Sequence, residues 1–180
     1  MMRRISIIYH ASMDYLTIIT TILPLFFMAF IGFTIFHSFS VEKDFQSAIL
    51  MTVLSFIIVS ALIYSWLLAP VSYTVDDNYF TVNRRINTVK FRIDDLTEIR
   101  ALDTRELRFV FRTFGVGGIF GHYGKYFSSS FGKLTFYATR LSKRILIKTR
   151  QGENIIITPD QKEIINDLQF RIDNKNTGFR

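Results

Sequence analysis

At 180 residues, the chain has room for one modest domain and one further segment. Hydrophobic residues make up 49% of it, yet 21% of residues are charged and the formal net charge is +7, so apolar and charged residues must be segregated along the sequence. The chain contains no cysteine, which excludes disulfides, thiolate catalysis and cysteine-ligated metals.

Two long apolar runs in the first half of the chain predict transmembrane helices. Residues 16–36 carry no charge, and a helix of that length rises about 32 Å, close to the thickness of a hydrocarbon core. A second helix is predicted over residues 48–69. Because the first run is too long for a secretory signal and no small-residue cleavage site follows it, we expect both helices to remain as membrane anchors.

The distribution of basic residues predicts the orientation of these helices. Arg3 and Arg4 precede the first run, Lys43 lies between the runs, and 19 of the 22 lysines and arginines follow the second. The positive-inside rule therefore predicts a multi-pass protein of the cell membrane with both termini in the cytoplasm. The predicted organisation is a cytoplasmic N-terminal segment over 1–15, a helical hairpin over 16–69, a β-domain over 70–173 and a flexible tail over 174–180.

After the second run the hydrophobic pattern changes to that of short strands. Turn residues separate seven such segments, which predict an antiparallel barrel or sandwich. The segments are 71–75, 79–83, 88–93, 96–102, 133–139, 143–149 and 153–158.

A C-terminal helix is predicted after the last strand. Thr158 is placed to be its N-cap and Pro159 its first residue. Ile164, Leu168 and Ile172 then recur at helical spacing, so we expect this helix to cover an apolar surface.

Four segments of the predicted domain form a recognisable pattern. They are YTVDDNYFTV after the second helix, IDDLTEIR, FGVGGIFGHYGKYFSSSFGKLTFYAT, and IIITPDQKEIINDL at the end. Together they resemble the bacterial PH domain families of small membrane proteins, in which two hydrophobic helices precede a PH-like domain. The resemblance implies two transmembrane helices followed by a mainly-β PH-like barrel of about seven antiparallel strands with a C-terminal capping helix. It implies no catalytic residue.

Residues 114–132 hold six of the nine glycines of the chain and suggest a phosphate-binding loop at first sight. A dinucleotide fingerprint starting at Gly115 would require a third glycine where Phe120 stands, and a P-loop would require Ser or Thr where Tyr126 follows Lys125. The spacing therefore predicts no nucleotide and no other cofactor. We expect the glycines to permit tight turns. They are Gly115, Gly117, Gly118, Gly121 and Gly124.

The aromatic residues of this glycine-aromatic block are too numerous for an ordinary solvated loop. We expect them to pack against the helix ends or to enter the membrane interface, where Trp66, Tyr64 and Tyr73 would form an aromatic belt. Two alternatives are that the block fills the core of the domain or contacts a partner protein. The candidate contact residues are Trp66, Phe114, Phe120, Tyr123, Tyr126, Phe127 and Phe131.

The segment from 104 to 150 is strongly basic. It contains ten lysines and arginines and a single acidic residue, Glu106, which gives it a net charge of +9. Such a surface on the cytoplasmic side is expected to attract anionic lipid headgroups. The alternative is that the positive charge serves only topology and solubility. The candidate headgroup contacts are Arg108, Arg112, Lys125, Lys133, Arg140, Lys143 and Arg144.

Catalytic and metal-binding constellations are missing from the sequence pattern. His10, His37 and His122 are isolated, with His37 predicted on the opposite side of the membrane, so neither a metal site nor an enzyme is expected. Nucleic acid is not expected as a partner either.

The favoured function is a membrane-tethered binding or scaffold module for a protein partner or for self-association, oriented by anionic headgroups. The alternatives are a lipid headgroup-binding module and an oligomeric transport or channel component. Ala61 and Ser65 form a small-residue pair suited to helix contact, which favours an anchor and dimerisation face over a pore.

Overall fold

The computed structural model describes residues 6–42, 45–103, 105–107 and 109–177. Within these residues, one strand precedes two long helices, nine strands follow them, and a third α-helix ends the fold. The helices are α1 (Tyr15–His37), α2 (Phe45–Leu68) and α3 (Ile164–Thr177). The strands are β1 (Ile7–His10), β2 (Pro70–Val75), β3 (Tyr79–Arg84), β4 (Thr88–Arg92), β5 (Leu96–Ala101), β6 (Val110–Gly117), β7 (His122–Ser128), β8 (Gly132–Ala138), β9 (Ile145–Thr149) and β10 (Asn154–Ile157).

Helices α1 and α2 are long enough and apolar enough to cross a membrane, each with a mean hydropathy of 2.3. Asp14 caps the start of α1, where its carboxylate accepts a hydrogen bond from the Thr17 amide at 2.9 Å. The hydroxyls of Thr34, Ser55 and Ser60 each donate to a backbone carbonyl three or four residues earlier in the same helix. The two predicted helices are thus confirmed as helices, and these three hydroxyls bond to the backbone of their own helix.

Strand β1 joins the segment before the helices to the domain after them. It pairs antiparallel with β2, with Ile7 opposite Val75 and His10 opposite Ser72. The Ala11 amide then donates to the Val71 carbonyl at 3.1 Å. The sequence pattern predicted no strand in residues 1–15, because four residues are too few to show an alternation of polar and apolar positions.

The strands form two sheets instead of the predicted closed barrel. The first sheet has the order β1-β2-β3-β4, and the second has the order β5-β9-β10-β8-β7-β6. All neighbours are antiparallel except β10 and β8, which run parallel. The prediction of about seven strands is wrong for the described residues, which form ten. The additional strands are β1 and the β6–β7 hairpin, where glycines interrupt the strand pattern.

The main hydrophobic core lies between the two sheets and α3. Tyr73 and Phe80 of the first sheet, Ile155 of the second and Leu168 of α3 are all fully buried in it. The predicted apolar face of the C-terminal helix is confirmed, since Ile164, Leu168 and Ile172 are buried.

The predicted start of the C-terminal helix is wrong. Helix α3 begins at Ile164 and not at Pro159. The Thr158 hydroxyl accepts a hydrogen bond from the Thr139 amide at 3.0 Å. Thr158 therefore links β10 to the end of β8 instead of capping a helix.

Candidate functional site at the junction of the helices and the domain

The glycine-aromatic block is a β-hairpin formed by β6 and β7. Gly115 of β6 lies directly opposite Gly124 of β7, so these two glycines lie within strands and not in turns as predicted. Both have positive φ angles, of 124° and 120°. A Cβ atom added to either glycine would lie 2.3 Å from a carbonyl oxygen of the facing strand, so only glycine permits this close approach of the two backbones.

The tip of this hairpin contacts the first turns of α1. The Thr20 hydroxyl donates to the Gly118 carbonyl at 2.6 Å, and the Phe120 amide donates to the Thr21 hydroxyl at 2.9 Å. The Gly118 amide donates to the Gly121 carbonyl at 2.9 Å, which closes the turn. Gly117 is the last residue of β6. The tip is therefore attached to α1 by backbone groups of the block.

A second contact to α1 comes from the segment after β8. The Thr17 hydroxyl donates to the Thr139 carbonyl at 3.0 Å, and the Thr139 hydroxyl donates to the Ser12 carbonyl at 2.7 Å. Thr17 and Thr21 are buried by these contacts. The sequence interpretation missed this role. The available signal was the spacing of the hydroxyl residues at 17, 20 and 21, which places them on one side of the helix.

Tyr123 connects the hairpin to the last turn of α2. Its hydroxyl lies 2.6 Å from the Ser65 hydroxyl and also contacts the Ser65 carbonyl. Burial raises the pKa of Tyr123 to about 12, so the phenol remains a proton donor at neutral pH. The prediction that Ala61 and Ser65 form a helix-packing pair is wrong for Ser65, because this residue is buried against the domain.

The remaining aromatic residues of the block divide between the core and the surface. Tyr126 packs on Phe136 with ring centroids 4.4 Å apart and donates to the Val116 carbonyl at 2.9 Å. Tyr126 and Phe136 belong to a second hydrophobic cluster, on the face of the second sheet that points away from the first sheet, and Phe131 packs against it. Phe114 and Phe127 remain exposed. The block therefore combines a core-filling part with a solvent-facing part.

The aromatic residues at the end of α2 also differ in their surroundings. The Trp66 ring is 43% exposed and lies beneath the Arg85 guanidinium, whose carbon is 4.7 Å from the ring centroid. Tyr64 is exposed. The prediction that Tyr73 belongs to an interfacial aromatic belt is wrong. Tyr73 is fully buried, and its hydroxyl donates to the Tyr137 carbonyl at 2.6 Å.

The predicted headgroup-contact cations occupy different environments. The Arg140 guanidinium forms an ion pair with the Asp160 carboxylate inside the domain. The Lys125 ammonium donates to the Thr135 hydroxyl at 2.9 Å, and Lys133 lines a neighbouring cleft. Lys143 is exposed. The predicted contact Arg108 lies outside the described residues.

A basic cluster surrounds His122 at the start of β7. Burial lowers the pKa of His122; Asp14 opposes this shift, whereas Arg144 and Arg112 add to it. Burial also lowers the pKa of Arg144, whose Nε atom has no hydrogen-bond partner within the described chain. His122 is therefore neutral at physiological pH, and the charge of this cluster comes from its arginines.

An open groove of about 530 Å³ separates the end of α2 from the second sheet. Ala61, Tyr64 and Leu68 form its helical wall, and Phe114 and Val116 line the side formed by β6. Arg84, which the sequence interpretation did not select, also lines this groove together with Lys125. In the part of the chain that the structure describes, no group of histidine and acidic residues could hold a metal ion.

Comparison with known proteins identifies the domain. A family model described as Bacterial PH domain matches residues 71–172. No curated protein and no solved structure gives a match. The matched region contains β6, β7 and the strand face of the groove, whereas β1 and the helices precede it.

Substitution of Gly124 tests the close approach of β6 and β7. In Gly124→Ala, we expect the free energy of unfolding to fall by about 3 kcal/mol or more, because the new methyl group collides with backbone atoms of β6. The control is Gly152→Ala, which also has a positive φ, of 79°, but open space around the added carbon, and which should lose about 1 kcal/mol. Denaturant unfolding of the full chain in detergent gives both values. Equal losses would show that the facing backbones do not constrain the hairpin.

The environment of His122 predicts a pH-dependent stability. Because its folded-state pKa lies below the ordinary value of 6.5, the unfolded chain binds this proton first as the pH falls. The contribution of His122 to the free energy of unfolding should therefore be fully present above the ordinary pKa of 6.5. Below it, the free energy of unfolding should fall by at most about 1.4 kcal/mol per pH unit, until the folded-state pKa is reached. Denaturant unfolding at several pH values, compared between the native chain and His122→Gln, isolates this contribution. Identical pH profiles for the two proteins would contradict the assignment.

Proposed function

Because the chain belongs to the bacterial PH domain family, we propose that it is a non-enzymatic binding module that two spanning helices anchor in the cell membrane. Its PH-like domain faces the cytoplasm and lies close to the inner leaflet. In this position it binds a protein partner or a second copy of the chain.

The observation that carries this proposal is the direct attachment of the domain to both helices. Thr17, Thr20 and Thr21 attach it to α1, and Ser65 attaches it to α2. The pairing of β1 with β2 places the chain before α1 beside the chain after α2. This arrangement supports two crossings of a bilayer, since the segments on either side of the helical hairpin must then lie on the same side.

The charge distribution supports the orientation. Most basic residues follow α2, and the positive-inside rule assigns them to the cytoplasm. Arg112 and Lys143 are exposed on the domain, which lies next to the helix ends. Anionic headgroups would attract such cations by about 1 kcal/mol each, an amount that orients a domain already held at the membrane.

The exposed aromatic surface of β6 supports a binding role. Phe111, Phe114 and Phe127 are 63%, 79% and 46% exposed, and Phe111 lies opposite Phe127 across β6 and β7. Strand β6 is also an edge of the second sheet. An exposed apolar edge strand is a typical site for contact with another protein chain.

The depth of Trp66 tests the anchoring. This residue is the only tryptophan in the sequence and lies at the junction of α2 with the domain. In vesicles made with brominated phospholipids, we expect lipids brominated close to the headgroup to quench its fluorescence more strongly than lipids brominated at the chain ends, because the domain holds this end of α2 at the interface. Fluorescence that no brominated lipid quenches would refute membrane anchoring.

Photocrosslinking in intact membranes tests the binding role. A photoreactive phenylalanine analogue at Phe111 should give several-fold more protein adduct than the same analogue at Phe170, a 66% exposed position on α3. Mass spectrometry of the adducts then identifies the partner or a second copy of the chain. Equal protein adduct at both positions would contradict a partner site on β6, and adducts only with lipid would favour the headgroup-binding alternative.

A further inference from the structure

One wall of the groove between α2 and the second sheet is part of the apolar surface of α2. Ala61, Tyr64 and Leu68 form this wall, and α2 continues from them as a helix whose apolar side chains are largely exposed. In the proposed arrangement, the groove therefore opens onto the leaflet beside α2. A hydrocarbon chain can pass from the bilayer into this groove without crossing water.

Two cations line the same groove without a carboxylate partner. In the described part of the chain, no ion pair joins Arg84 or Lys125 to an acidic side chain, and the Nε atom of Arg84 is buried without a hydrogen-bond partner. The guanidinium carbon of Arg84 lies over the Tyr137 ring, 5.8 Å from the ring centroid. A guanidinium that lines a groove without an acidic partner can be stabilised by an anionic acceptor in that groove.

A second cleft provides polar space next to these cations. It measures about 640 Å³ and shares Lys125 and Thr135 with the groove. Lys133, Gln151 and Asn154 contribute polar side chains to it, together with the acidic Glu153. The two spaces together therefore combine apolar walls, two cations and polar side chains around the shared residues Lys125 and Thr135.

We propose that this groove binds one anionic phospholipid of the inner leaflet, with its phosphate held by Arg84 and Lys125 and one acyl chain against Ala61, Tyr64 and Leu68. The headgroup then occupies the cleft beside Thr135. This inference rests on the proposed membrane anchoring and extends it, because it assigns the lipid to a groove inside the molecule and not to the outer basic surface.

Lipid retention by the full chain tests the proposal. The protein is reconstituted in mixed vesicles of phosphatidylcholine and phosphatidylglycerol, extracted in mild detergent, and examined by native mass spectrometry. We expect the native chain to retain one phosphatidylglycerol in preference to phosphatidylcholine. The variant Arg84→Gln/Lys125→Gln should lose this preference by about tenfold or more.

Two matched controls distinguish binding in the groove from a general effect of lost charge or of added side-chain volume. Arg112→Gln/Lys143→Gln removes the same charge from exposed positions that do not line the groove, and it should retain the lipid. Ala61→Phe fills the groove without a change in charge and should lose the lipid, whereas Val59→Phe, on the opposite side of α2, should keep it. A thermal unfolding midpoint within a few degrees of the native value shows that each variant is folded.

Each of the remaining outcomes refutes either the groove site, its occupant or the proposed function. Equal retention of phosphatidylcholine and phosphatidylglycerol, or equal loss in both double variants, refutes the groove site. In a further reconstitution, oleate is added to the same vesicles. If the protein then retains oleate in place of phosphatidylglycerol, the occupant is not a phospholipid. Failure of the native chain to enter the vesicles refutes the proposed function together with this inference, whereas anchored protein without a retained lipid refutes the inference alone.

Discussion

The pairing of β1 with β2 determines the geometry of the whole molecule. These two strands flank the helical hairpin in the sequence, and their hydrogen bonds hold the start of α1 and the end of α2 next to each other. A single connection after α2 would leave the domain free to rotate about that link. With both ends fixed in one sheet, the direction in which the helices leave the domain is set by the sheet itself. The sequence match begins at residue 71, so this constraint comes from a strand outside the matched region.

The β6–β7 hairpin converts this pairing into a rigid junction. Its two strands approach closely at Gly115 and Gly124, and its tip extends to the hydroxyl groups of α1. Tyr123 reaches Ser65 on α2 from the same hairpin. Each helix therefore has at least one hydrogen bond to the block in addition to its chain connection. The aromatic residues that point to the other face of the sheet, such as Tyr126, support the hairpin from the second hydrophobic cluster.

The parts of this structure that the sequence predicted are those with a strong local pattern. Both long helices, seven strands and the apolar face of α3 follow from hydrophobic periodicity, and their existence needs no knowledge of the tertiary fold. The hairpin was missed because its glycines carry no side chain to alternate, and β1 was missed because its partner lies beyond two helices. The position of Arg84 could not be predicted either, since its surroundings arise only when β3 is placed next to the end of α2. Tertiary contacts of this kind leave no periodic signal in the sequence.

A rigid junction changes what the basic residues can contribute. A soluble domain uses headgroup binding to reach a membrane, and the free energy of that binding then determines how much protein is recruited. In the proposed arrangement the helices already supply the membrane location, so attraction of surface lysines and arginines to lipid would affect only the tilt of the domain. A partly buried guanidinium without an acidic partner is a different case, because an anion that contacts it supplies the hydrogen-bond acceptor that the fold does not. Within one domain, the two proposals therefore assign separate roles to exposed cations such as Lys143 and to the partly buried Arg84, orientation for the first and ligand recognition for the second.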